Sequence, residues 1–140
     1  MLYDKLIFPK RTLTVILLSM LSMGFLSVLA ARKKTVQKIK VACVGNSITY
    51  STGIQDREHF SYPVQLQNML GDKYLVGNFG KPGATLLNHG HRPYMKQEEY
   101  RQAMAFKGDI AVIHLGINDT DPRNWPNYRD EFVKDYLSLM

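Results

Sequence analysis

Hydrophobic positions along the chain follow two different patterns. Residues 13–30 form one uncharged, mainly apolar run, whereas from residue 40 onward short apolar runs alternate with amphipathic stretches. Three of the short runs contain β-branched residues and lead directly to a glycine, which is typical of buried strands followed by loops. These runs are residues 40–44, 74–76 and 109–115.

Three amphipathic segments separate and follow the predicted strands. Their apolar positions are Tyr62, Leu66, Met69 and Leu70; Tyr100, Ala103 and Met104; and Phe132, Val133, Tyr136, Leu137 and Met140. In the first segment, Pro63 suits a first helical turn and Gly71 suits a C-terminal cap. The last segment starts near Asp130. The alternation of strands and helices predicts an α/β fold with a parallel sheet and right-handed crossovers.

The first 31 residues are predicted to be a targeting segment rather than part of the fold. Basic residues precede the uncharged run, and the small residues Ser27, Ala30 and Ala31 end it. This pattern is typical of an export signal peptide, here with cleavage after Ala30. Because about 18 apolar residues reach the lower limit of a membrane span, an uncleaved N-terminal anchor is the alternative.

The net charge of +6 does not indicate a nucleic-acid partner. Eight of the 18 basic residues lie in the first forty positions beside a single acidic residue, which leaves ten basic and eleven acidic residues in the following hundred. A surface that tracks phosphates needs a clustered basic excess. The single Cys43 excludes an internal disulfide, and His89 and His91 lack a third ligand at metal-binding spacing. We therefore expect no cofactor, no metal and no nucleic acid.

Polar and glycine residues concentrate where the predicted strands end. In parallel sheets the ligand site lies beyond the carboxyl ends of the strands, which here lead to the loops 45–53, 77–85 and 116–121. Ser47 follows the first strand directly and is predicted to enter a helical turn, where a nucleophile lies near free backbone N–H groups. A lone Gly-x-Ser is also consistent with an N-cap or turn serine.

Three motifs follow successive strands in a fixed order. They are Gly45-Asn46-Ser47, the stretch from Asn78 to Gly83, and Gly116-Ile117-Asn118-Asp119. Together they resemble the SGNH (GDSL-like) hydrolase family over residues 38–140. The resemblance implies a three-layer α/β/α, flavodoxin-like parallel sheet with strand order 2-1-3 in the part present. It also implies that Ser47 is the nucleophile, and that the Gly83 N–H and the Asn118 side-chain amide form the oxyanion hole.

The sequence departs from the family pattern in two places. Asn46 stands where the family has an aspartate. The family's general base is a histidine in a late Asp-x-x-His block, and no such block follows Asp119. We therefore expect residues 38–140 to be the N-terminal part of a truncated esterase domain that lacks its base. Asp56 and His59 have the right spacing, but they come too early in the chain to take that role.

Other ring side chains have weaker assignments. His114 lies within the third predicted strand and is expected in the core or on a sheet face. His89 and His91 are expected in a loop that contacts substrate or solvent. Trp125 and Tyr128 could form an aromatic wall for a sugar ring, although packing of the last helix explains them equally well.

The function predicted by the motifs is an exported serine esterase. The order of motifs looks closest to bacterial sialate and other carbohydrate O-acetylesterases, so the expected substrate is an acylated carbohydrate or another small ester. The membrane is expected as a partner only through an uncleaved N-terminal segment. A non-catalytic carbohydrate-binding relic is the alternative. An FMN site at residues 51–53 is disfavoured, because phosphate cradles follow the strand directly.

Overall fold

The computed structural model describes residues 37–140, which form a three-stranded parallel sheet with flanking helices. The strands are β1 (Ile39–Gly45), β2 (Tyr74–Gly80) and β3 (Ile110–His114), in the order β2-β1-β3. The predicted α/β class and strand order are therefore confirmed. The predicted targeting segment, residues 1–31, lies outside the described residues. Among residues 37–140, no helix has the length and apolar character needed to cross a membrane.

Within the described part of the chain, six α-helices and three short 3-10 turns accompany the sheet. The helices are α1 (Ser47–Tyr50), α2 (Arg57–Phe60), α3 (Tyr62–Leu70), α4 (Glu98–Phe106), α5 (Trp125–Tyr128) and α6 (Phe132–Leu139). The 3-10 turns are Tyr94–Lys96, Ile117–Thr120 and Arg129–Glu131. The three predicted amphipathic segments correspond to α3, α4 and α6. Gly71 caps α3 with a φ of 73°, as predicted.

Some of the apolar positions assigned to the buried helix faces are exposed instead. They are Met69, Met104, Val133, Leu137 and Met140, whose exposed fractions range from 59% to 77%. Periodicity identifies the helices correctly but overestimates the width of their buried faces, because three strands and short helices cover only part of each helix.

The core is built around β1, the central strand. Val41, Ala42, Cys43 and Val44 are all buried, because β1 has helices on both faces. Ala42 and Val44 pack with Ala103 of α4, whereas Cys43 points to the opposite face and lies beside Tyr62 of α3. Helices on both sides of the sheet give the predicted three-layer arrangement.

β2 extends four residues beyond its predicted end. The stretch from Gly77 to Gly80, predicted as a loop, pairs with β1 from Ala42 to Gly45. Glycine weakens a strand intrinsically, but the buried central strand supplies a complete ladder of hydrogen-bond partners. At the end of β2, Gly80 lies against α1, where a Cβ atom would come within 2.6 Å of the Thr49 carbonyl carbon. The absent side chain therefore brings the end of β2 next to α1.

β3 lies at the edge of the sheet. Within residues 37–140 it pairs with β1 alone, and Ile110 and Val112 are 47% and 37% exposed. His114 is also exposed, so of its two predicted positions, the core and a sheet face, the core is wrong. It lies at the solvent-accessible end of this strand. A groove of about 480 Å³ runs between α4, α6 and the sheet, and none of the loops at the carboxyl ends of the strands lines it.

Candidate functional site

The three strands end at the same level. Gly45 is the register partner of both Gly80 in β2 and His114 in β3. Two hydrogen bonds then join the loops that follow: the Lys81 N–H donates to the Gly45 carbonyl at 2.8 Å, and the Asn46 N–H donates to the His114 carbonyl at 3.3 Å. The structure therefore brings the three predicted loops together at one edge of the sheet.

Ser47 is the first residue of α1 and is half-buried. The N-cap of this helix is the preceding residue, Asn46, whose side-chain oxygen accepts the Ile48 N–H at 3.0 Å. The capping role considered for Ser47 thus belongs to Asn46, and the Ser47 hydroxyl is not needed to stabilise the helix end. Because the first N–H groups of a helix have no partner within the helix, the Ser47 N–H is a candidate anion donor.

Asn46 is fully buried beneath the nucleophile candidate. Its Oδ1 caps α1, and its Nδ2 has no hydrogen-bond partner among the described residues. An aspartate, the usual family residue, could accept the same N–H. The Asn46 departure therefore keeps the cap of α1, removes a negative charge beside Ser47 and places an amide donor where an aspartate has a second acceptor oxygen.

Gly83 lies in a tight turn after β2. Its φ is 77°, a conformation that favours glycine. The Ala84 N–H closes the turn by donating to the Lys81 carbonyl at 3.1 Å. The Arg92 guanidinium lies over the turn, donating to the Pro82 carbonyl at 2.9 Å, with Nη1 3.3 Å from where a Gly83 Cβ would be. The backbone conformation therefore favours glycine, and a side chain here would require the Arg92 guanidinium to shift slightly.

Asn118 connects the third loop to the Gly83 turn. It lies in the 3-10 turn after β3, and its Nδ2 donates to the Ala84 carbonyl at 2.8 Å. Its own carbonyl accepts the Asn124 side-chain amide at 2.9 Å. Because an amide nitrogen carries two hydrogens, one N–H of Asn118 is left for another acceptor. Asn118 thus lies beside Gly83 and has both a structural bond and a free donor.

A set of buried polar residues to which the sequence assigned no role lies behind these loops. They are Asp119, Asn124 and Asp135. Asp119 was part of the third motif, but no role was predicted for it. Burial raises the pKa of Asp119, and the N–H groups of Leu87 and Leu86 that it accepts oppose this shift. In the sequence, only its position next to Asn118 in the third motif distinguishes Asp119. Its hydrogen bonds join residues more than thirty positions apart, so no local pattern reveals them.

None of the described histidines forms a hydrogen bond to Ser47. His59 Nδ1 lies 2.9 Å from both carboxylate oxygens of Asp56, and this contact raises the pKa of His59. His89 Nδ1 lies 2.6 Å from the Glu131 carboxylate. No group of three or more potential metal ligands occurs within residues 37–140.

The predicted aromatic wall is partly occupied by packing. Trp125 meets Phe132 of α6 edge to face, with ring centroids 5.7 Å apart, and remains 38% exposed. Tyr128 lies against the His89 ring at a centroid distance of 5.7 Å. Packing against α6 therefore accounts for Trp125 in part and leaves an aromatic surface exposed.

Comparison with known proteins agrees with this geometry. The sequence profile of the GDSL-like Lipase/Acylhydrolase family matches residues 43–139. An acetylxylan esterase from Xylanibacter ruminicola is 52% identical over 102 residues, which cover 73% of this chain and 21% of that protein. The chain thus spans about a fifth of the length of this relative. No solved structure matches. The matched region contains all three loops at the strand ends, and the chain belongs to the GDSL-like lipase/acylhydrolase family.

Proposed function

We propose that residues 38–140 carry the nucleophile and the oxyanion hole of a carboxylic ester hydrolase that removes O-acetyl groups from carbohydrates. The observation that carries this proposal is the convergence of Ser47, Gly83 and Asn118 at one edge of the sheet, in a chain 52% identical to an acetylxylan esterase over 102 residues. The choice of acetyl groups on a carbohydrate as the substrate is supported by the name of this relative, an acetylxylan esterase.

In the proposed reaction, Ser47 Oγ attacks the ester carbonyl carbon as a base removes its proton. The C–O bond that forms turns the carbonyl oxygen into an oxyanion, which accepts hydrogen bonds from the Ser47 N–H, the Gly83 N–H and the Asn118 amide. The intermediate collapses, and the sugar oxygen leaves as it takes the proton from the base. Water then attacks the acetyl–Ser47 ester and releases acetate.

The base is not assigned to any histidine in residues 37–140. His59 has a carboxylate partner on Nδ1, as triad histidines do, but it lies on the exposed helix α2 with no bond to Ser47. Family resemblance places the base in an Asp-x-x-His block, so the proposal requires that block in the full-length protein. We also retain the expectation that residues 1–31 direct export, which suits a glycan substrate outside the cytoplasm.

The experiment measures acetate release from acetylated xylan by the full-length protein. Ser47→Ala should lower kcat about 10⁶-fold, because the reaction then lacks its nucleophile. Ser51→Ala is the matched control: Ser51 lies in the same loop and its hydroxyl donates only to the Ile48 carbonyl, at 3.5 Å. This variant should keep its activity. Acetate release that survives Ser47→Ala would overturn the proposal, and glycan binding without hydrolysis by the wild type would support the carbohydrate-binding relic.

A further inference from the structure

The segment after Gly83 is held in place by side chains from a distant part of the chain. Residues 84–91 contain no helix and only an isolated bridge. Four of their backbone N–H groups nevertheless donate to buried side-chain oxygens. The pairs are Leu86 and Leu87 with Asp119, Asn88 with Asp135, and His91 with Asn124. We call this segment the clamped loop.

Asp119 accepts two of these four backbone hydrogen bonds. One carboxylate oxygen accepts the Leu86 N–H at 2.9 Å and the other accepts the Leu87 N–H at 2.7 Å. Asp119 is completely buried, as are Leu86 and Leu87. A buried carboxylate is costly unless hydrogen bonds satisfy it, and bonds to an ionised acceptor are shorter and stronger than neutral ones. Two adjacent N–H groups therefore determine both the position and the orientation of the carboxylate.

Asn118 and Asp119 hold the same short stretch from two directions. The Asn118 amide donates to the Ala84 carbonyl at 2.8 Å, while the Asp119 carboxylate accepts from the two residues that follow Thr85. Ala84 follows Gly83 directly, so movement of residues 84–87, the part of the clamped loop that Asp119 holds, would move the Gly83 N–H. The same movement would change the direction of the Asn118 amide. The two oxyanion-hole donors are thus mechanically coupled through Asp119.

We propose that Asp119 is a positioning residue for the oxyanion hole: its buried carboxylate fixes the clamped loop and thereby orients the Gly83 N–H and the Asn118 amide toward the oxygen that Ser47 turns into an oxyanion. This inference rests on the proposed esterase function. Asp119 touches neither the nucleophile nor the reacting atoms, so its effect on the reaction passes through Gly83 and Asn118.

The test substitutes Asp119→Asn in the full-length protein. An asparagine has the same shape but one acceptor oxygen, so its NH₂ group would face one of the two N–H donors and displace the clamped loop. We expect kcat for acetate release to fall about 10²-fold, because displacements of about 1 Å near a reacting centre have effects of this size. KM should change far less, since the oxyanion forms only in the transition state.

Asp135→Asn is the matched control. Asp135 is also a buried carboxylate that accepts a backbone N–H from the clamped loop, at 2.7 Å from Asn88, but that residue lies five positions beyond Gly83. The same chemical change there should lower the melting temperature and leave kcat within a few-fold of wild type. Both variants are assayed well below their melting temperatures, so that loss of folded protein does not contribute.

A double-mutant cycle separates positioning from general stability. When Asn118→Ala has already removed one donor, Asp119→Asn should lower kcat much less than it does in the wild type. If Asp119→Asn does not fold, Asp119→Ala with added formate replaces it, and formate should restore kcat by occupying the space of the lost carboxylate. A near-normal kcat of the folded variant, or equal losses in both backgrounds, would overturn the inference. An inactive wild type would instead overturn the proposed function.

Discussion

Replacing Asn118 by alanine separates two roles that the structure combines in one side chain. Nδ2 donates to the Ala84 carbonyl, and its second hydrogen is free for the oxyanion. The substitution removes both donors and leaves the backbone of residue 118 able to accept the Asn124 amide. If Asn118 had only a structural role, the substitution would lower only the stability of the protein. With the proposed catalytic role, it should also lower kcat.

The expected magnitudes follow from these contacts. Ala84 is fully buried, so its carbonyl cannot turn to water when Asn118 is lost, and leaving it unpaired should cost about 1–3 kcal/mol of stability. Loss of an oxyanion donor should lower kcat by about 10²–10³, roughly 3–4 kcal/mol of transition-state stabilisation. KM should change much less, because the hydrogen bond strengthens as the carbonyl becomes an oxyanion.

The assay pairs urea denaturation with acetate-release kinetics on one preparation of the full-length protein. Asn88→Ala is the control, because Asn88 Nδ2 also makes one cross-loop bond, to Asp135 Oδ1 at 3.0 Å, without facing the proposed oxyanion. Asn88→Ala should lose stability and keep its kcat. If Asn118→Ala also kept a near-normal kcat at a temperature where it is folded, the oxyanion-hole assignment of Asn118 would be wrong.

Two further predictions concern the end of β2 and the ion pair at the start of α2. Gly80→Ala should lower the free energy of unfolding, measured by urea denaturation, by about 1–3 kcal/mol or more. The new Cβ would overlap the backbone of Tyr50 and push α1 away from β2. Unchanged stability would contradict this packing. The pKa of His59 should lie above 6.5 in an NMR titration, because its bond to Asp56 favours the charged ring, and Asp56→Asn should lower it. The small stabilisation of the folded state by this exposed pair should be fully present below pH 6.5. It should disappear as the pH rises through the raised pKa of His59.

The sequence alone was sufficient for the order and type of the main elements. β1 is recognisable as a continuous apolar run, because four consecutive residues of this strand are buried. α3 is recognisable from the proline in its first turn and the glycine at its C-terminal cap. These are local signals that the tertiary structure left unchanged at β1 and α3. The positions of Ser47, Gly83 and Asn118 also followed from the sequence, because the carboxyl ends of parallel strands meet at one edge.

Only the tertiary structure decided how the strands and loops are completed. β2 continues to Gly80 because β1 supplies its hydrogen-bond partners, although the sequence from Gly77 favours a loop. His114 is exposed because, among residues 37–140, no strand pairs with β3 on the side away from β1, which the apolar pattern of β3 does not reveal. Asp119 binds Leu86 and Leu87 across more than thirty residues. Such bonds between a side chain and a distant backbone group leave no periodic trace in a sequence, so they become visible only when folding brings their partners together.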